Sequence, residues 1–141
     1  MYVDSQNEYS DSQAVTASAA STNIIDHGIG DAGAGEPSMY LVVQVDETAT
    51  AAGAATVVFT LQTDDNSAFS SATDILATAA IGKAALTAGT RVCAFELPIG
   101  MERYSRVSYT VATGPLTAGK FSAFLTPVVE NIHAYPIGYE I

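Results

Sequence analysis

The chain predicts an all-β domain, and three observations carry that expectation. Residues 103–112 alternate, with Ser105, Val107, Tyr109 and Val111 on one face and Tyr104, Arg106, Ser108 and Thr110 on the other. Period-two alternation of β-branched and aromatic residues marks a half-buried strand. Residues 120–126 alternate again, with Phe121, Ala123 and Leu125 against Ser122, Phe124 and Thr126. Between them lies Thr113-Gly114-Pro115, where Gly tolerates positive φ and Pro removes a ladder donor, so the two segments read as a hairpin. Finally, turn signals recur about every 8–12 residues, the spacing of a sandwich or barrel of seven or eight short strands.

Taken in order, residues 1–12 are polar and acidic but hold Tyr2, Val3 and Tyr9, and read as an extended arm. Residues 14–17 and 22–26 read as short strands, and 27–37 as a Gly-rich loop. Residues 39–46 are apolar at almost every position, which suits a strand buried on both faces. Residues 47–52 read as a loop. Residues 54–63 form a strand with Val57, Phe59 and Leu61 on one side, 64–72 a polar turn, and 73–78 a strand. Residues 79–88 are ambiguous: Ala favours helix, but Gly82, Thr87 and Gly89 cut it short. Residues 90–97 form a strand with Arg91, Cys93, Phe95 and Leu97 on one side, ended by Pro98 and Gly100. The tail, residues 130–141, contains Tyr135, Pro136, Ile137, Tyr139 and Ile141, and is apolar enough to pack on its own domain or dock on a neighbour. Docking is the favoured reading, because aromatic anchors suit interfaces. No internal repeat or linker divides residues 1–141, so one domain is expected.

Fifteen acids face five bases, a formal charge of −10, and no base precedes Lys83. Nucleic-acid affinity comes from Lys and Arg displacing counterions, so this field argues against binding DNA or RNA. No run approaches the roughly 18 apolar residues of a membrane span, and the first dozen residues lack the basic and apolar regions of a signal peptide. The single cysteine, Cys93, cannot form an intrachain disulfide, and folding in a reducing cytoplasm is expected.

Each candidate site has a plainer reading beside it. Gly28-Ile29-Gly30-Asp31-Ala32-Gly33 matches a dinucleotide fingerprint, but Ala34-Gly35-Glu36-Pro37 cannot start the helix that pyrophosphate needs, so a flexible loop is expected. Asp64, Asp65 and Asn66, with Asp74, could ligate a hard cation through oxygen, yet Asp and Asn also build turns on their own backbone. Asp26 and His27 are adjacent and so point to opposite faces of a strand, and no nucleophile motif accompanies them. No catalytic residue, metal site or cofactor is therefore expected, and the chain does not read as an enzyme. Cys93 reads as a buried, inert thiol. Arg91, Arg103 and Arg106 read first as partners of local acids, with Glu96 and Glu102 nearest in sequence. Their sharper role is an inter-subunit or partner salt bridge.

Residues 39–46, the block LQTDDNSAFSSATD at 61–74 and the run ERYSRVSYTVATGPLTAGKFSAFL at 102–125 resemble the small capsid cement, or decoration, proteins of tailed phages. The opening MYVDSQNEYSDSQAVTASAASTNIID is similar to the start of that family. The resemblance implies a jelly-roll-like β-sandwich of about eight strands, with extended N- and C-terminal arms, in the spacing range of such folds. It implies a homo-oligomer, a dimer before a trimer, on the outer surface of an icosahedral shell of HK97-type major capsid protein, where it would stabilise subunit contacts against internal DNA pressure. On that reading the partner-binding candidates are Tyr2, Tyr9, Arg103, Arg106, Tyr135, Ile137, Tyr139 and Ile141, with the two termini as contact arms. The alternative is a virion-surface or tail-fibre β-sandwich that binds a host receptor or glycan.

Overall fold

Among the described residues, ten strands pair into two antiparallel sheets whose apolar faces meet. The computed structural model describes residues 3–35 and 37–130. The strands are β1 (Glu8–Ala14), β2 (Ala19–Ala20), β3 (Ile25–Asp26), β4 (Tyr40–Thr50), β5 (Thr56–Asp64), β6 (Thr73–Ala77), β7 (Ile81–Gly82), β8 (Arg91–Glu96), β9 (Tyr104–Ala112) and β10 (Ala118–Thr126). One sheet runs β1-β10-β4-β8. The other runs β2-β9-β5-β6, with β3 also on β9 and β7 also on β5. The sandwich expected from alternation is present, and three of its ten strands are two-residue pairings too short to leave a period in the sequence.

The core follows the alternation. Ser105, Val107 and Tyr109 of β9 face inward beside Val57, Phe59 and Leu61 of β5. Across the interlayer gap lie Phe121, Ala123 and Leu125 of β10 and Leu41, Val43 and Val45 of β4. Phe59, Tyr109 and Phe121 join the sheets: Phe121 meets Phe59 edge-on at 5.2 Å between ring centroids and stacks on Tyr109 at 5.9 Å. Such offset and edge-to-face contacts add to the burial of the rings themselves.

Four expectations are corrected. Residues 103–112 and 120–126 do not form a hairpin. Both neighbours of β9 are already taken, by β5 and by β2 and β3, so β10 enters the opposite sheet. Thr113 (φ 63°) and Gly114 (φ 97°) turn the chain, and buried Leu116 plugs the end of the sandwich during the crossing. The second part of the N-terminal arm is a strand: Glu8–Ala14 pairs with β10, extending past residue 12 and pre-empting a strand at 14–17. The loop expected at 47–52 is mostly strand, because Glu47 sits opposite Lys120 with a 3.1 Å ion pair and Ala49 is buried. The ambiguous 79–88 stretch holds β7 and one 3-10 turn, Lys83–Ala85, not a helix of any length.

Beyond Thr126 the described chain doubles back. Thr126 pairs with Tyr40, whereas Arg91, which pairs with Gln44 four positions along β4, donates from Nη1 to the carbonyl of Glu130 at 3.1 Å. Residues 131–141 lie outside the described residues, and with them the proposed tail anchors Tyr135, Ile137, Tyr139 and Ile141; Tyr2 does too.

Candidate functional site

The strand registers gather three long loops at one end of the sandwich. Asp26 and Asp64 both pair with Tyr104, and Tyr40 pairs with Glu96 and Thr126. The β3–β4, β5–β6 and β8–β9 connections therefore emerge together, and most of the candidate residues lie on or beside them.

The β5–β6 loop uses its acids to hold itself. Asp64 is fully buried and accepts from the Asn66 amide at 3.0 Å, the Ser71 amide at 2.8 Å and the Ser71 hydroxyl at 3.2 Å. Burial alone would raise its pKa, but these hydrogen bonds outweigh it and hold the carboxyl below the ordinary carboxylate range. Both oxygens are thus spent on the turn. Asn66 accepts from the Ala68 amide in the same manner, and Asp74 accepts from Gln62 at 2.8 Å. Among the described residues no three His, Cys, Asp or Glu side chains are grouped to hold a metal ion, and in this loop the Asp64 oxygens are engaged by the turn itself.

The arginines are engaged within the chain. Arg103 grips Asp26 with two parallel bonds, Nε to Oδ1 and Nη2 to Oδ2, both 2.9 Å. That fork, with the Gly28 amide, lowers the Asp26 carboxyl to about 2. Arg106 lies on the outward face of β9, donates to Gln62 at 2.8 Å, and sits 4.3 Å from the ring centre of Phe69. Sequence proximity favoured Glu102 and Glu96 as partners. The sheet register instead brings Asp26 beside Arg103.

Tyr9 is corrected most sharply. As a docking anchor it would need exposure, but it is 0% exposed. Bulges in β1 turn both Tyr9 and Ser10 inward, which no alternating pattern could reveal. The Tyr9 hydroxyl meets Ser105 Oγ at 2.7 Å, and the Tyr109 hydroxyl donates to Ser10 Oγ at 2.8 Å. Burial, opposed by the Ser10 bond, pushes the Tyr109 phenol up to about 12, so neither tyrosine is poised to give up a proton near neutrality. Cys93 behaves alike: burial raises its thiol to about 11, the signature of an inert residue.

His27 completes the Tyr9 cluster. Its Nε2 lies 2.6 Å from Ser105 Oγ, and burial lowers its pKa despite the neighbouring Asp26 carboxylate. A neutral ring satisfies the whole chain of bonds: Tyr9 donates to Ser105, and Ser105 donates to Nε2. Protonation turns Nε2 into a donor and strands one buried hydroxyl proton. Below the ordinary histidine pKa the unfolded chain binds a proton that the folded chain resists, so stability falls as pH drops through 6.5 and beyond. His27→Gln is expected to flatten that part of the melting-temperature profile between pH 7 and 5; an identical slope in both proteins would contradict the assignment.

The glycine-rich loop is tied, not slack. Asp31 accepts from the amides of Gly33 (2.9 Å), Gly100 (2.5 Å) and Met101 (3.2 Å), so one carboxylate fastens the β3–β4 loop to the β8–β9 loop. The bond from Gly100, with those from Gly33 and Met101, lowers its pKa. Gly33 is required there, since a Cβ would lie 1.8 Å from the Pro98 carbonyl oxygen. Among its described residues the loop carries one three-residue 3-10 turn, Ala32–Ala34, and no longer helix. Sequence reasoning passed over Asp31 as a structural clasp; the signal available was an Asp two residues before a Gly, the spacing of an Asx turn.

The site is therefore a surface of structured loops in which Asp26, Asp31, Asp64 and Arg103 are bonded to their own fold. None of the curated proteins matches the chain. A family model, Bbp16, matches residues 9–125, from the first core side chain of β1 almost to the end of β10, and so takes in both sheets. The chain belongs to the Bbp16 family, a phage-related family.

Proposed function

We propose that this chain is capsid cement: a structural protein of a phage virion that binds the outer surface of an icosahedral shell and ties neighbouring HK97-type capsid subunits together. The observation that carries the reading is the family match over residues 9–125, which spans the whole sandwich. The charge of −10 supports it, because a protein on a DNA-filled particle benefits from repelling free nucleic acid. So does the internal use of Asp26, Asp31 and Asp64, whose carboxylates serve the fold. That same use weighs against a Ca²⁺-assisted glycan site at Asp64.

The mechanism is additive adhesion. A standard interface buries about 1,600 Å², and a unit touching two subunits makes its second contact at high effective concentration. A homodimer would double the number of subunits tied. Residues 8–14 are the edge strand of the chain's own sheet, so any contact they make with a neighbour is made from that folded edge and not from a loose arm.

The test is reconstitution. Shells purified without this chain, then mixed with it, are expected to gain ordered density on their outer surface and to release DNA at a higher temperature. Density confined to the tail, or no binding to shells, would overturn the cement reading.

A further inference from the structure

Two large apolar side chains stand out at the loop end of the sandwich. Ile29 is 104% exposed and Ile99 79% exposed, more than any other large apolar residue among those described. Single exposed aliphatics are common and need no explanation. These two differ because their loops are fastened to each other. Ile29 lies two residues before Asp31, and Ile99 lies one residue before Gly100, whose amide Asp31 binds at 2.5 Å. Gly33 packs its bare Cα side against Pro98, directly before Ile99. One carboxylate and one close contact thus hold the backbone on either side of Ile99 and tie it to the segment that begins two residues after Ile29.

The charges near this tip are already compensated. Asp26 is forked by Arg103, and Asp31 is covered by three amides. Docking the tip therefore strands neither carboxylate without a partner, which would otherwise oppose burial. Ordering costs are also reduced, because the loops are tied before any partner arrives.

We propose that Ile29 and Ile99 form a preorganised apolar anchor that seats in an apolar pocket on a protein partner with a cationic rim. The cationic rim follows from complementarity to the chain as a whole, which carries −10. On the cement reading above, on which this choice of partner rests, the pocket belongs to the shell subunit. A lipid surface is the poorer fit, since anionic headgroups repel so acidic a chain.

The experiment compares full-length wild type, I29S/I99S and D31A for binding to purified shells that lack this chain, with melting temperatures measured alongside. Transfer of an isoleucine out of water predicts at least about a tenfold loss of affinity for each, so about a hundredfold for the pair, with melting unchanged. D31A, which keeps both isoleucines but frees the loops, is expected to bind less tightly than wild type. If I29S/I99S lowers the melting temperature, the single variant I29S carries the same test at a fully exposed position. Wild-type affinity in I29S/I99S would overturn the anchor while leaving shell binding intact. Absence of wild-type binding to shells would overturn the shell as partner and the cement reading with it. Flotation of wild type, but not I29S/I99S, with phosphatidylcholine vesicles would overturn the protein pocket in favour of lipid.

Discussion

A chain lacking residues 1–14 is expected to lose cooperative folding altogether. Deletion removes β1, the edge of the four-stranded sheet, and leaves β10 unpaired on that side. It also removes Tyr9, fully buried, whose loss alone costs about 3–5 kcal/mol by analogy with other aromatic-to-alanine changes. Ser105 and Tyr109 lose their hydroxyl partners at the same time. A domain of this size is stable by only about 5–15 kcal/mol, so these losses together consume most or all of it. Near-UV circular dichroism and a thermal melt check the result. The exposed neighbour supplies the control: Asp11→Ala is expected to stay within about 0.5 kcal/mol of wild type. A truncated chain that melts cooperatively near the wild-type temperature would show that β1 is an accessory arm after all. The outcome bears on function too, because loss of shell binding on such a deletion would report unfolding, not a missing contact.

Phe121→Ala carries the second largest expected effect. Phe121 is 0% exposed and contacts both Phe59 and Tyr109, which belong to the facing sheet. Removing the ring leaves a cavity between layers that neither sheet can close without breaking its own ladder. The expected loss is about 3–5 kcal/mol. At about 2–4 °C per kcal/mol for a chain of this length, the melting temperature falls by about 10 °C. Denaturant titration should show a lower midpoint with an unchanged slope. A loss below about 1.5 kcal/mol would mean the ring trio does not hold the layers together, and that the sheets are joined mainly through their aliphatic positions.

Much of this was legible in the residues. The alternation of 103–112 correctly assigned Ser105, Val107, Tyr109 and Val111 to the inner face, because a two-residue period is a property of a single strand. Residues 39–46 read as buried on both sides, and Leu41, Val42, Val43 and Val45 are. What escaped was pairing. Nothing local distinguishes a β9–β10 hairpin from a β9–β10 crossing between sheets, since both need the same Thr-Gly-Pro turn. Bulges escaped as well. The inward pointing of both Tyr9 and Ser10 breaks the period, and so the residues that most needed burial were read as an exposed arm. The Asp31 clasp spans about seventy positions in sequence and has no signature at either end beyond a turn-forming Asp and a Gly.

From the residues alone came the character of this protein: an acidic, β-forming chain with an inner face for each long strand. Side-chain period and formal charge are local properties, and they need no partner to be read. Which strands meet, which carboxylate meets which amide, and which isoleucines are left outside were decided only by tertiary structure. Those are competitions among distant segments for the same sheet edges, and their result depends on every segment at once.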